Sequence, residues 1–519
     1  MAASIRFISA GAGSGKTYTL TEILHRELSE GRAQPGGVLA TTFTTKAATE
    51  LRERVRSHLI RQNAYALANA MGQARIGTVN SVCGGLLQRF AFEAGMPTEQ
   101  RVLDEEHSGQ LLREAIDLVM ERQALAELLK VARRLSLDEA GHGGGEVPWR
   151  KDLRSLVDQA RANGIDADTL RGFGETNAAN LLAHFPRATD EDLDRRLGDV
   201  IEAVLPAIRA AVEQKGKQNT TKYLHRLETC LRDLSHDRMT WAQWTSLSQE
   251  DNGPEAGLKP TVQPVTDAAA RYAQHPHLHA DLRDYLRRMF GLAADALQAY
   301  DNLKLQLGAI DFTDQERKLL DVLDLPFVAE TLAAELDLLM VDEFQDTSPI
   351  QLALFLKLAG LAGQVVWVGD VKQAIYGFRG SDTALMKAVL AALPDLGGRK
   401  DVLPNSWRSR PALVGLVNHL FANGFDGLTP EEVVLHPMRE EPGESPALLD
   451  WVLEGRNKGQ IAESLASGIA RLMTDGTQVI DRETKNLRPV RLSDIAILLR
   501  ANTGVQEIAS TLRLRGIAS

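Results

Sequence analysis

Residues 10–17 read Ala-Gly-Ala-Gly-Ser-Gly-Lys-Thr, a spacing of glycines before a Lys-Thr pair that suits the phosphates of a nucleotide. Ala10 stands where the usual pattern has its first glycine. Gly11, Gly13 and Gly15, alternating with Ala12 and Ser14, let the backbone turn its N–H groups inward around phosphate oxygens. Lys16 then reaches the β- and γ-phosphates, and the Thr17 hydroxyl ligates Mg²⁺. A second signal is Val-Asp-Glu-Phe-Gln-Asp-Thr at 341–347. Here Asp342 can hold the Mg²⁺ shell and Glu343 can orient or deprotonate an attacking water. An isolated Asp-Glu pair is most often a solvated strand end; beside a phosphate loop it reads as catalytic. A third signal, at 368–382, combines Asp370, an amide at Gln373 that can sense a γ-phosphate, and three stacking faces for bases, Tyr376, Phe378 and Arg379. In isolation these aromatics would read as core beside a strand. ATP and Mg²⁺ are the expected cofactors.

Such residues need rigid elements beneath them. An apolar strand at 5–8 runs into a small-residue turn at 9–14, after which Leu20, Ile23, Leu24 and Leu28 recur at helical spacing until Gly31. Val38–Thr42 reads as a second strand, and 46–60 as a helix with Ala47, Ala48, Leu51, Val55 and Leu59 on one side. Strands alternating with helices imply an α/β fold with a parallel sheet. From about 97 to 299 the chain turns helical, with long segments at 108–135 and 190–212 and loops at 141–148 and 251–264. Strands return at 336–341 and 365–368, each delivering an acidic residue at its carboxyl end, where α/β sheets carry their sites. A further α/β segment starts near Val402 and closes with a strand at 494–499 and a helix at 504–515.

The chain of 519 residues exceeds one hydrophobic core and, at roughly 100 to 200 residues per domain, suggests several. Its 44% hydrophobic and 25% charged residues exclude a disordered or fibrous chain. A net charge of -10 announces no basic surface, so any contact with nucleic acid would have to be a local groove. Cys83 and Cys230 lie outside any C-x-x-C spacing, which supports neither a disulfide framework nor a zinc site. No basic-plus-apolar leader opens the chain, and no apolar run approaches ~18 residues. A cytoplasmic protein without a membrane partner is expected.

Together the motifs resemble those of superfamily 1 DNA helicases of the UvrD/RecB/AddA kind, over essentially all of the chain except much of the helical stretch. Residues 10–17 resemble motif I, TTFTTKAATELRERV at 41–55 motif Ia, VDEFQDTSPIQ at 341–351 motif II, and VGDVKQAIYGFRGSD at 368–382 motif III. IGTVNSVCGGLLQRF at 76–90 resembles the next DNA-contact motif, and LPNSWRSRPALVGLVN at 403–418 resembles motif IV. The resemblance implies that Phe43, Thr44 and Asn80 meet DNA and that Arg408 reaches the γ-phosphate from a second motor domain. Asn80 and Val82 depart from the His and Phe common at those positions in relatives. No glutamine motif for adenine precedes Ile5, which makes Tyr18 a candidate for stacking on the adenine or ribose; packing on the sheet is the alternative.

The fold so implied is α/β, with two RecA-like P-loop NTPase domains and a large all-helical insertion in the first. The expected divisions are 1–96 and 300–402 for the first RecA-like domain, 97–299 for the insertion, and 403–519 for the start of the second. Residues 491–517 resemble the segment before that domain's own insertion, so its later motifs, a second phosphate-contacting arginine and any nuclease domain are expected beyond Ser519. The implied activity is ATP-dependent translocation on single-stranded DNA, or 3′ to 5′ unwinding, in repair, recombination or DNA degradation. The partners implied are single strands, single/double-strand junctions, and a nuclease or other subunit of a DNA-processing complex. Two alternatives stay open: an ATPase subunit of a helicase-nuclease complex that does not itself unwind, and an ATP-switched DNA-binding scaffold. Glu343 and Gln373 argue against the scaffold, since a pure switch can dispense with both.

Two further features are read blandly. His275, His277 and His279 form an H-x-H-x-H run taken as a surface loop and not a metal site. Lys215, Lys217 and Lys222 are taken as a solvated inter-helix patch.

Overall fold

The apolar runs ahead of the chemistry-bearing residues become the strands of one sheet. The structure, a computed structural model, describes residues 4–97, 101–120, 122–139, 146–214, 218–374, 383–395, 397–422, 424–425, 428–440, 446–481, 484 and 486–519. In chain order the first strands are β1 (Ile5–Ala10), β2 (Val38–Thr42), β3 (Arg75–Thr78), β4 (Arg101–Leu103), β5 (Ala309–Asp311), β6 (Leu338–Val341), β7 (Gln364–Gly369) and β8 (Arg399–Leu403). Six of them form a sheet in the order β3-β2-β6-β7-β1-β8, parallel throughout. Pairing of Ser9 with Gly369 and of Thr41 with Val341 brings the carboxyl ends of β1, β2, β6 and β7 to one edge.

Side chains alternate across this sheet with the period of two that strands impose. Ile5, Phe7, Leu39, Leu339, Val341, Val365 and Trp367 face one apolar layer. Ile8, Ala10, Val38, Ala40, Leu338, Met340, Val366 and Val368 face the other. With both faces covered by helices, the strands read as near-continuous apolar runs.

The region between β4 and β5 is helical. Its spine is the helix Pro276–Gln306, packed against Ala167–Leu182 and Glu105–Val119 over a core that includes Leu112, Ala115, Leu153, Met289, Ala293 and Tyr300. A separate core around Leu197, Ile201, Leu227, Trp244 and Val265 holds its far end. β4 and β5 pair in parallel, Val102 opposite Ile310, so the two ends of the helical region are joined at its base. There Asp311 accepts from Tyr300 Oη at 2.7 Å, is ion-paired with Arg161, and caps the helix Phe312–Val322.

Several expectations need correction. The segment 108–135 is two helices, Glu105–Val119 and Arg122–Arg134. The loop expected at 251–264 is mostly helical, because Pro260 enters the helix Lys259–Ala269 within its first turn, where a missing N–H costs nothing. β8, near the expected start of a second α/β segment, adds to the first sheet beside β1. No second extended sheet forms among the described residues: after β8 there are only the pairs Asn405–Ser406 with His436–Pro437 and Gln478–Ile480 with Leu487–Pro489. Residues 495–499 are not a strand, since a strand exists through its ladder and this run has no paired neighbour among the described residues. The helix expected at 504–515 is present as Val505–Leu514, packed on Lys458–Thr474 through Leu512, Ala466 and Ile469. Among the described residues no helix is long and apolar enough to cross a membrane.

Candidate functional site

At the end of β1, Ala10 is fully buried, so the residue in the first-glycine position packs its methyl into the core. The chain then turns tightly, Ser14 N–H donating to Gly11 O at 3.0 Å. Gly13 (φ 77°) and Gly15 (φ 91°) take left-handed backbone that a side chain would strain. The helix Lys16–Ser29 that follows has no capping side chain and no acid in its first turn, which leaves its N–H groups and its positive end directed at the loop. Ser14 Oγ is buried without a hydrogen-bond partner. A phosphate fits this cradle: it would supply the acceptors that the protein does not.

β6 delivers the acids. Asp342 continues the ladder, its N–H donating to Thr41 O at 2.9 Å. Glu343 adopts φ 53°, left-handed for a non-glycine residue, and its N–H donates to Asp342 Oδ1 at 2.9 Å. Lys16 Nζ is ion-paired with Glu343 Oε1 and lies 3.6 Å from Asp342 Oδ1. Burial pushes the Asp342 carboxyl above its ordinary range, opposed by the Lys16 charge. A divalent cation near Asp342 would relieve that cost, and Thr17, at the head of the helix, lines the adjoining cavity.

β7 is followed directly by Asp370, which is 2% exposed and organises the turn after it. Its carboxylate accepts from Gln373 Nε2 at 2.7 Å and from Lys372 N at 3.1 Å, and pairs with Lys372 Nζ at 2.8 Å. Lys372 Nζ also donates to Glu432 O at 2.9 Å, tying the turn to the segment after the sheet.

That later segment forms the opposite wall. Trp407 N–H donates to Gly13 O at 2.8 Å, and a Cβ on Gly13 would stand 2.5 Å from Arg408 Cβ. A cavity of about 660 Å³ results, lined by the loop from Ala10 to Tyr18 except Ser14, and by Arg54, Glu343, Gln373, Trp407 and Arg408. The structure thus brings Lys16, Thr17, Glu343, Gln373 and Arg408 together, with Asp342 behind Lys16. Tyr18 is 67% exposed at the rim and is not packed on the sheet. Sequence reasoning missed Trp407 and Arg54. A tryptophan directly beside Arg408 was the available signal for the first; the second is one arginine of many on the helix Thr45–Arg61.

The residues expected at DNA lie elsewhere along the same sheet edge. Phe43, 38% exposed, and Asn80, half-buried, line a second cavity of about 450 Å³ that reaches from Asp342 and Glu343 to Arg154 and Arg161 of the helical region. The Thr44 hydroxyl accepts from Ala47 N at 3.1 Å as a helix cap, which leaves its O–H able to donate. Tyr376, Phe378 and Arg379 lie outside the described residues.

The histidine run is not the surface loop expected of it. His275 is buried and caps the helix Pro276–Gln306, its Nδ1 accepting from His277 N at 3.1 Å. Both His275 Nε2 and His277 Nδ1 stand 3.3 Å from Asp194 Oδ2. Nδ1 of His275 is thus taken up by the helix cap, and its Nε2 is buried beside the Asp194 carboxylate. Lys222 is exposed, and Lys215 and Lys217 lie outside the described residues.

The family model described as the UvrD/REP helicase N-terminal domain matches residues 2–393. The chain is 26% identical to an ATP-dependent helicase/nuclease subunit from Pelotomaculum thermopropionicum, over 96% of the chain and 47% of that protein. It is 24% identical to the RecBCD enzyme subunit RecB of Escherichia coli, over 99% of the chain and 48% of that protein. The chain therefore spans about half the length of the curated relatives it matches.

Proposed function

Because this chain belongs to the UvrD/REP helicase family, we propose that it is an ATP-driven motor on single-stranded DNA, a translocase that parts duplex at single/double-strand junctions. The observation that carries this reading is the meeting of Lys16, Glu343, Gln373 and Arg408 around one cavity headed by an uncapped helix N-terminus.

In this reading the loop from Gly11 to Gly15 holds the phosphates, and Lys16 leaves Glu343 to pair with the β/γ-phosphates. Thr17 and Asp342 would hold Mg²⁺, which would neutralise charge on the phosphates. Tyr18 and Trp407, exposed aromatics on two walls of the cavity, hold the adenine. Glu343 takes the proton of the attacking water, while Gln373 and Arg408 meet the γ-phosphate from two sides. The six-stranded sheet is the first RecA-like domain, interrupted by an insertion at 97–299, and residues from 403 begin a second motor domain whose Arg408 completes the site. Closing and opening of the cleft with each ATP, while Phe43, Thr44, Asn80, Tyr376, Phe378 and Arg379 grip the strand, becomes directed stepping. The 3′ to 5′ direction and a cytoplasmic setting follow from the family resemblance.

A second reading rests on the relatives. One is named as a helicase/nuclease subunit and the other as a component of the RecBCD enzyme, so this motor would serve a helicase-nuclease complex in DNA repair or degradation, partnered by a nuclease.

The test is ATP turnover with and without single-stranded DNA, together with strand separation on a 3′-tailed duplex. Lys16→Ala should abolish DNA-stimulated turnover with folding intact; retained turnover would refute the assignment. ATP binding without turnover in the unaltered chain would favour the switched scaffold.

A further inference from the structure

The geometry points to Gln345 as a positioning residue for ATP hydrolysis, a buried joint that ties the carboxylate of Glu343 to the turn carrying Gln373. This inference rests on the ATPase reading above. Gln345 is 3% exposed and belongs to the single turn Phe344–Asp346 that follows the strained backbone of Glu343. Its Nε2 donates to Glu343 Oε2 at 2.7 Å and to Asp346 Oδ2 at 3.2 Å. Its Oε1 accepts the backbone N–H of Asp370 at 2.9 Å. The amide cannot be turned over: reversed, it would aim N–H at N–H on one side and oxygen at carboxylates on the other. Asp370 in turn holds Gln373 Nε2 on its own carboxylate. The crossing is close, for a Cβ on Gly369 would stand 2.8 Å from Gln345 Oε1, so glycine at the end of β7 is part of the joint.

The consequence concerns Glu343 once Lys16 turns to phosphate. Its Oε1 loses the ion pair, and the carboxylate would swing freely if nothing held the other oxygen. Gln345 keeps Oε2, so Oε1 alone faces the site and takes the water proton. As it does so, the water oxygen bonds to the γ-phosphorus and the bridging bond breaks, its electron pair leaving with ADP. Because the same side chain grips the backbone of Asp370, displacement of Gln373 by the γ-phosphate reaches Glu343 through one amide.

Gln345→Glu tests this. It keeps the size and the acceptor for Asp370 N–H, removes both donations, and sets a third carboxylate beside Glu343 and Asp346. The expected result is a kcat lowered at least about tenfold with KM for ATP within about twofold, since binding is untouched while the base is misaimed. In a double-mutant cycle with Gln373→Ala, the two losses should be less than multiplicative. A kcat within about twofold of the unaltered chain, or strictly multiplicative losses, overturns the inference. Should Gln345→Glu melt well below the unaltered chain, hydrogen exchange in the unaltered chain replaces it. Segments 341–347 and 369–374 should then slow together on addition of a non-hydrolysable ATP analogue, and slowing of one alone overturns the joint. An unaltered chain with no DNA-stimulated turnover would instead sink the functional reading itself.

Discussion

Glu316 lies beneath the cavity that Phe43 and Asn80 line, only 6% exposed. Burial pushes its carboxyl up from 4.5 to about 7, opposed by Gln351 Nε2 donating at 2.6 Å. In that window the folded chain holds a proton that the unfolded chain has released. The stability this group contributes is therefore complete below about 4.5 and lost as pH rises through about 7. Glu316→Gln keeps the acceptor for Gln351 and has nothing to ionise. It should be close to neutral at pH about 4.5 and stabilise by roughly 3 kcal/mol at pH about 8, read by urea unfolding at both values. An equal difference at the two values would show that Glu316 is not the titrating group. Residue-scale chemistry was unevenly legible: Lys16 and Thr17 act through the chain next to them, whereas the environments of Glu316 and Gln345 are set by residues from other strands and helices.

The loop after β1 and the segment carrying Trp407 and Arg408 are separated by almost four hundred positions yet meet backbone to backbone at Gly13. Alanine there would be strained by φ 77° and would press its Cβ against Arg408 Cβ, an atom fixed to the main chain. Gly13→Ala should push that wall of the cavity outward, raise the dissociation constant of a fluorescent ATP analogue at least about tenfold and lower the melting temperature by a few degrees, since strain and clash both cost stability. Affinity equal to that of the unaltered chain would mean that the two segments do not meet in solution. At this scale β1, β2, β6 and β7 were readable as short apolar runs ending in site residues. The pairing of β4 with β5 was not, because three residues carry no usable periodicity and the pair is made by the helical region folding back on itself.

Over the whole molecule, the sheet edge carries two cavities, one at the phosphate loop and one between β2, β3, β6 and the helical region, with Glu343 lining both. With a net charge of -10, the proposed strand binding would have to come from local contacts. Phe43→Ala should weaken single-stranded DNA binding by ~1 to 3 kcal/mol with little dependence on sequence, as stacking on a base does. Fluorescence anisotropy on homopolymer and mixed strands measures it, and unchanged affinity would return Phe43 to a packing role.

The sequence by itself determined the phosphate loop, the acids at the end of β6, the parallel α/β character and the helical nature of the long middle region. These follow from glycine spacing, strand and helix periodicity and polar residues at strand ends, all local along the chain. Only the tertiary structure decided that Arg54 and Trp407 line the cavity at the loop after β1, that β8 completes the first sheet, that His275 is a buried cap facing Asp194, and that one glutamine bridges the ends of β6 and β7. Each depends on which distant segments the packing of buried faces brings within about 3 Å of one another, and hydrogen-bond geometry at that range leaves no trace in the order of residues.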